Sequence, residues 1–209
     1  MYDYQMQYPN MNLGVYAPRS VRASMLEKID NIEVDTSALV GYVPNSTSLV
    51  ANAIWLSSVI NVGNKSHTSE EAFVKSCRLR YSNPSIYDAV KVLNQKSNGD
   101  RYLLSRVPTW EYVQLALVEG LTVMLGGSVY SSFSDAETSG IVPMPRPGED
   151  LLGGQIVNLV SFDRKKELGW AIGNQGKDVG RDGLFQYRGS HMRNLSIFRD
   201  FFVLTLAVN

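Results

Sequence analysis

The sequence predicts an α+β fold in which a helical first half precedes a β-rich second half. Between residues 47 and 120, four segments place apolar residues at helical spacing and end at capping residues or glycines. After Gly120, short runs rich in β-branched and aromatic residues alternate with glycine and proline turns. Because helices and strands are segregated along the chain, we expect a cleft between the two halves.

The first of these segments, residues 47–63, predicts a buried central helix. Leu49, Ala53, Leu56 and Ile60 recur at helical spacing, and apolar residues also occupy its other faces. The serine and threonine residues before Leu49 are good helix caps. We therefore expect this helix to lie in the core.

Three further helices are expected before Gly120. Residues 69–81 predict a short helix or a helix that passes into a strand, and residues 83–99 predict an amphipathic helix closed by a glycine. Residues 109–120 predict a third helix, with Thr109 as its cap and Gly120 at its end.

The predicted strands occupy the second half. Their sequences are LTVMLGGSVY from Leu121, LLGGQIVNLVSFD from Leu151, LGWAI from Leu168, DGLFQYRG (a strand or a turn) from Asp182, and DFFVLTLAV from Asp200. A proline-rich loop precedes the second of these, and its glycine pair predicts a tight bend directly before a buried strand.

Composition restricts the function classes. Of the 209 residues, 20 are Lys or Arg and 20 are Asp or Glu, so no overall positive charge favours nucleic-acid binding. No apolar run reaches the length of about 18 residues that a membrane span needs. One cysteine, Cys77, allows no internal disulfide, and the N-terminal residues lack the pattern of a signal peptide. We expect an intracellular, cytoplasmic protein that is not secreted, or one carried inside a virus particle.

Motifs for cofactors and metals have little support. The glycines of GNQGKDVGRDG follow a strand but do not match a dinucleotide-binding pattern. His67 and His191 are far apart in the sequence, and Cys77 has no nearby histidine, so a zinc site is not predicted. A serine-hydrolase elbow is also missing. We therefore expect neither a cofactor nor a metal.

Several uncommon oligopeptides of the second half occur in one order. They are VYSSF from Val129, GIVPMPRPGEDLLGGQIV from Gly140, IGNQG from Ile172, VGRDGLF from Val179 and RDFFVL from Arg199. Their order and spacing resemble the papain-like cysteine peptidases (C1 family), most closely the short intracellular branch found in bacteria and viruses.

The first half supports the same resemblance more loosely. SLVANAI from Ser48 is similar to S-C-T-A-N-A-I, which opens the central helix of that family. The resemblance implies a papain-like two-lobe fold in residues 35–209, with a helical left lobe at about 35–108 and a β-rich right lobe at about 109–209. Residues 1–34 are then an added N-terminal arm.

The resemblance also assigns the catalytic positions. In the family, a cysteine thiolate attacks the peptide carbonyl, a histidine moves the proton, an asparagine orients the histidine, and a glutamine stabilises the oxyanion. In this sequence the cysteine position falls on Leu49, the histidine position on Gln155, the asparagine position on Asn174 and the glutamine position near Val43.

These substitutions predict a pseudo-peptidase. Leucine has no nucleophilic atom, and the amide of Gln155 cannot act as a general base near neutral pH. Losing the nucleophile or the base of a comparable protease triad costs about 10⁶ in rate. We expect Gln155 to hydrogen-bond to Asn174, or both to line a cleft, floored by Leu49, that binds a peptide without cleaving it.

A structural or protein-binding role follows from this interpretation. Since the resemblance extends to proteins of large DNA viruses, a minor capsid protein in the virion is one such role. Two alternatives remain: a cysteine peptidase with a rearranged site, which needs His67 or His191 beside Cys77, and a peptide- or glycan-binding module that uses the vestigial cleft. Against the first, Cys77 lies well downstream of the central helix and is expected to be a buried structural thiol.

The N-terminal arm is a second candidate for partner binding. Tyr2, Tyr4, Tyr8 and Tyr16 are many aromatic residues for a solvated tail. We expect the arm to pack on this protein or on a protein partner, with a disordered tail as the alternative.

Overall fold

The helices and strands that the sequence predicts are present, together with further short elements, in a computed structural model that describes residues 14–18, 26, 30–34, 48–62, 69–97, 99–173 and 175–207. The helices are α1 (Leu49–Val62), α2 (Glu70–Arg80), α3 (Ile86–Lys96), α4 (Trp110–Val118), α5 (Phe133–Ser139) and α6 (Gly189–Met192). The strands are β1 (Gly14–Val15), β2 (Asn31–Glu33), β3 (Tyr102–Arg106), β4 (Val123–Tyr130), β5 (Leu151–Asp163), β6 (Leu168–Ile172), β7 (Leu184–Arg188) and β8 (Phe198–Leu206).

Polar side chains fix the starts of the first-half helices. The Ser69 hydroxyl accepts a hydrogen bond from a backbone N–H of α2, and Thr109 does the same for α4. At α3, Ser85 and Asp88 form a capping box in which each side chain accepts from the other residue's backbone N–H. Of the two options for residues 69–81, the structure has a helix that ends at Arg80.

The strands form one sheet in the order β1-β3-β8-β4-β5-β6-β7, and β2 pairs with the C-terminal part of β5. All pairs are antiparallel except β1 with β3. Three of these strands, β1, β2 and β3, were not predicted from the sequence. Strands β1 and β2 have two and three residues, which is too short for periodicity to reveal them, and the five residues of β3, YLLSR, do not alternate between apolar and polar.

Hydrophobic side chains form two clusters. The first-lobe cluster joins α1, α2 and α3 to Met124, Ile156 and Phe202 of the sheet. The second-lobe cluster includes the neighbouring residues Leu125 and Val157, together with α4 and the later strands. Successive side chains of a strand point to opposite faces, so these neighbours belong to different clusters. Helix α1 contributes to both clusters and lies against β5 and β8.

The glycine pair of LLGGQIV does not form the predicted bend. Strand β5 begins at Leu151, so both glycines lie inside it. Gly153 pairs with Val129 and Leu151 pairs with Tyr130, which leaves Leu152 as an extra residue in a β-bulge. The φ of Gly153 is 149°, a backbone conformation that favours glycine. The expectation of a bend was wrong because the pairing with β4 continues through the glycines.

The described part of the N-terminal arm packs on this chain. Strand β1 pairs with β3, and β2 pairs with β5. Tyr16 is 5% exposed, and its hydroxyl donates to Oε2 of Glu119 at 2.6 Å. Tyr2, Tyr4 and Tyr8 lie outside the described residues.

Backbone groups are occupied on the part of the β3 edge that β1 does not cover and on the outer edge of β7. The Asn94 amide donates to the Tyr102 carbonyl at 3.1 Å, and its oxygen accepts from the Tyr102 N–H at 2.6 Å. At the β7 edge, Gln186 exchanges backbone hydrogen bonds with Gly140 and Val142. These contacts reduce the unpaired edge that another strand could extend.

A buried amide joins α1 to the sheet and gives the first prediction. Asn158 is 1% exposed, and its Nδ2 donates to the Ala53 carbonyl at 3.2 Å and to the Ser57 hydroxyl at 2.8 Å. Asn158→Ala should lower the free energy of unfolding by about 1–3 kcal/mol because it leaves buried acceptors unsatisfied. Urea denaturation measures this change. The exposed Asn31→Ala is the control and should change stability by less than about 0.5 kcal/mol; equal effects would contradict the role of Asn158.

Candidate functional site

Leu49 occupies the position that the sequence analysis assigned to the nucleophile. It is the first residue of α1, directly after Ser48, and it packs against the first-lobe cluster. A side chain here lies at the positive end of the helix dipole, which stabilises an anion such as a thiolate. Leucine offers only an apolar surface at this point.

Gln155 occupies the predicted histidine position and is buried. It lies on β5 opposite Gly127 of β4 and is 3% exposed. Its Nε2 donates to the hydroxyl of Tyr187 at 3.2 Å. Its Oε1 is buried and has no hydrogen-bond partner among the described residues. The side chain is therefore buried, and the peptide-binding cleft drawn from the sequence stays a prediction.

The alternation of β5 explains where this side chain lies. Ile156 packs in the first-lobe cluster with the residues of α1. Gln155 shares the opposite face of β5 with Val157 and Leu159. These two residues belong to the second-lobe cluster, as does Tyr187, the hydrogen-bond partner of Gln155. The Gln155 side chain is thus directed into that cluster, on the opposite face of β5 from the residue that packs with α1.

Aromatic rings surround the Tyr187 end of this hydrogen bond. The Tyr187 ring lies edge-on to His191 at 5.5 Å and to Phe198 at 5.4 Å between centroids. His191 is 3% exposed, and burial lowers the pKa of its imidazole to about 4. His191 is therefore neutral at physiological pH.

The remaining predicted positions lie outside the described residues. These positions are Asn174, Val43 and His67. The expected hydrogen bond between Gln155 and Asn174 thus stays a prediction, as do the roles assigned to Asn174 and Val43.

Cys77 is a buried thiol in α2. It is 0% exposed, and burial, with a smaller contribution from Asp88, raises its pKa to about 11 against the opposing effect of Arg80. It packs in the first-lobe cluster, whereas the rings that contact His191 belong to the second-lobe cluster. The arrangement therefore gives no support to a Cys77–His191 pair.

The described residues meet neither the requirements of a metal site nor those of a membrane-spanning helix. They include no group of three or more His, Cys, Asp or Glu side chains suited to a metal ion. No helix in the described ranges combines the length and the apolar character needed to cross a bilayer.

Two of the grooves lined by described residues lie on the surface of the sheet. The larger, about 630 Å³, lies beside β1, β3 and the end of α1 and includes Tyr16 and Glu119. The smaller, about 360 Å³, is called here the Trp170 groove. Its lining residues are Glu33, Val34, Val160, Ser161, Trp170, Ile172, Arg181 and Leu184.

Comparisons with known proteins identify the class to which this architecture belongs. Xylellain, a cysteine protease from Xylella fastidiosa, has a TM-score of 0.78 with 17% identity, covering 99% of this chain and 96% of that chain. The procathepsin B from Trypanosoma congolense has a TM-score of 0.65 with 12% identity, covering 99% and 87%. The chain therefore has the papain-like cysteine protease fold, as the sequence predicted.

One curated protein is also similar to this chain in sequence. The chain is 25% identical over 126 residues to an uncharacterized peptidase C1-like protein of Acanthamoeba polyphaga mimivirus, covering 59% of this chain and 40% of the relative. No protein-family model matches the chain. The match extends over less than half of the length of this C1-like relative, and the structural similarity shows the papain-like fold.

Sequence reasoning missed the partner of Gln155. Tyr187 lies on β7, where LFQYR alternates between buried and less buried residues, with Phe185 and Tyr187 both 0% exposed. This alternation was available in the sequence, but it could not show which strand lies beside β5. The register of β5, β6 and β7 aligns Tyr187 with Gly169 and Phe162, so this hydrogen bond joins two residues that are not cross-strand neighbours.

The buried imidazole gives the second prediction. Its folded pKa of about 4 lies below the ordinary value of 6.5, so the unfolded chain takes up the proton first as pH falls. The stability that this group contributes is complete above pH 6.5 and is lost as pH falls towards 4, by about 3 kcal/mol in total. Urea denaturation at several pH values should show this loss in the native chain and a flatter dependence in His191→Gln. Parallel pH profiles would refute the assignment, because carboxylate contributions are common to both proteins.

Proposed function

We propose that this chain is a catalytically inactive papain-like protein that acts by binding another protein. The burial of Cys77 carries the proposal. The sequence has one cysteine, and its sulfur is 0% exposed with a pKa raised to about 11. At pH 7 about one thiol in ten thousand is ionised, and a substrate carbonyl cannot reach it.

The predicted catalytic positions support the same conclusion. Leu49 has no atom that can attack a carbonyl. Gln155 cannot exchange a proton near neutral pH, and its amide is already bonded to Tyr187 inside the second-lobe cluster. The protein would have to supply both a nucleophile and a base from elsewhere to act as a peptidase.

A peptidase with a rearranged site is the alternative. The relatives favour it, since xylellain is named a cysteine protease and the mimiviral protein is named peptidase C1-like. The packing of Cys77 in the first-lobe cluster opposes it, because the rings that contact His191 belong to the second-lobe cluster. A peptide- or glycan-binding module in the old cleft is a narrower form of the binding proposal, and Leu49 is the residue that would floor it.

The docking surface is proposed to lie on the domain. The described segments of the arm already contact the rest of this chain, through β1, β2 and the Tyr16–Glu119 hydrogen bond. Occupied edges at β3 and β7 disfavour docking by strand addition. Grooves formed by side chains are therefore favoured over the arm.

A virion role rests on the source of the mimiviral relative. We include a minor capsid protein within the proposal as one form of the structural role. Mass spectrometry of purified particles would detect the protein if it is a component, and its absence from them would remove this form of the proposal.

The third prediction tests the loss of catalysis. The folded chain should neither react with an activity-based thiol probe nor cleave a panel of peptides. Leu49→Cys is the matched control, because it places a thiol at the first turn of α1, where the helix dipole favours the thiolate. The control should be labelled at residue 49 but should cleave no faster than the native chain. Labelling of Cys77 in the folded protein together with turnover would refute the proposal.

The fourth prediction locates the partner site once a partner is identified. Leu49→Arg should abolish binding, with folding retained, if the old cleft is used. Removal of residues 1–13 tests the arm and leaves β1 and Tyr16 in place. If that truncation abolishes binding and Leu49→Arg does not, the domain surface is not the docking site. Affinity measured by calorimetry distinguishes the two outcomes.

A further inference from the structure

We infer that the Trp170 groove binds the C-terminal end of a partner polypeptide, an apolar residue with its free carboxylate. The floor of the groove supports the apolar part. Val34, Val160 and Ile172 are buried beneath it, and Trp170 and Leu184 are partly buried at its sides. An aliphatic side chain placed here would remove apolar surface from water on both partners.

Arg181 supplies the charge that would meet a carboxylate. Its Cζ lies 5.7 Å from the centroid of the Trp170 ring, a cation–π arrangement. No carboxylate of the described residues forms an ion pair with it. A guanidinium presents its N–H donors in a planar fork that matches a carboxylate.

A tight turn holds this arginine in place. Arg181 N donates to the Leu184 carbonyl at 2.9 Å, and Leu184 N donates to the Arg181 carbonyl at 3.0 Å. Gly180 N donates to the Glu137 carbonyl at 2.6 Å and so fixes the turn to α5. Because the backbone and the ring both restrict the side chain, little conformational entropy should be lost on binding.

The negative charge of Glu33 favours a chain terminus over an internal acidic segment as the ligand. The register places Glu33, Ser161 and Trp170 side by side on β2, β5 and β6, so Glu33 and Trp170 are about 10 Å apart. A segment with several acidic residues would place negative charge near Glu33. A chain terminus places one negative charge at the Arg181 end and backbone N–H groups towards Glu33.

The size of the groove agrees with a short ligand. Its volume of about 360 Å³ is near the lower end of the range for ligand pockets, about 300–1,000 Å³. It therefore suits a terminal residue and its neighbour better than a long segment. This inference rests on the proposed protein-binding role, to which it adds a site and a ligand chemistry.

Short peptides test the inference directly. Three peptides are titrated into the ¹⁵N-labelled chain. They are acetyl-Ala-Leu with a free carboxylate, the C-terminal amide of the same peptide, and acetyl-Leu-Asp-Ala-amide, whose carboxylate is internal. Chemical shifts of the Trp170 indole N–H, assigned with Trp170→Phe, report binding at the groove. The free acid should bind about tenfold tighter than the amide, because a charge-assisted hydrogen bond is lost in the amide. Added salt should reduce this difference.

Matched variants show whether Arg181 is responsible. Arg181→Gln should remove the difference between acid and amide, and Arg181→Lys should retain part of it. Arg188→Gln is the control, since Arg188 is exposed on β7 and does not line the groove. Its affinity for the free acid should equal that of the native chain.

Three results would overturn the inference. They are equal affinity for acid and amide, tighter binding of the internal aspartate peptide, and no shift of the Trp170 indole with any peptide. None of the three bears on the thiol-probe experiment, so the inference can fail while the loss of catalysis stands.

Discussion

The period of two along β5 decides which side chains reach α1 and which do not. Asn158 points towards the helix and hydrogen-bonds to the Ala53 carbonyl and the Ser57 hydroxyl. Ile156, two residues before it, packs with the same helix, so Gln155 must lie on the other face. A one-residue change of register would reverse all three positions and leave the buried amide of Asn158 without its partners. The hydrogen bonds from Asn158 to α1 and the burial of Gln155 therefore depend on the same register of β5.

This constraint places the Gln155 side chain among the residues of the second-lobe cluster. Proton transfer in the papain-like mechanism needs an imidazolium that is stabilised beside a thiolate. Near residue 155 the structure provides the Tyr187 ring and the second-lobe cluster instead. His191 contacts the same tyrosine ring, and burial lowers the pKa of its imidazole to about 4.

The sequence predicted the helices and the long strands because their signals are local. Ser85 and Asp88 cap α3, and the apolar runs of β4, β5 and β8 are long enough to show their type. Shared oligopeptides predicted the papain-like fold. The prediction of a bend at the glycines of β5 was wrong, because the partner strand determines whether Gly153 bends the chain or forms a bulge. The burial of Gln155 and its bond to Tyr187 depend on the packing of distant strands, which no local pattern encodes.

The same sheet also favours a particular kind of partner contact. Asn94 occupies the edge of β3 at Tyr102, and Gly140 and Val142 occupy the edge of β7 at Gln186, so backbone pairing with another chain has few free groups. Side chains must then supply the affinity, and they do so best where apolar surface and a positioned charge lie together. Trp170 and Arg181 meet that description on the outer face of β6, and neither residue is needed to hold α1 on the sheet. The proposed docking site is therefore separate from the hydrogen bonds that join α1 to the sheet.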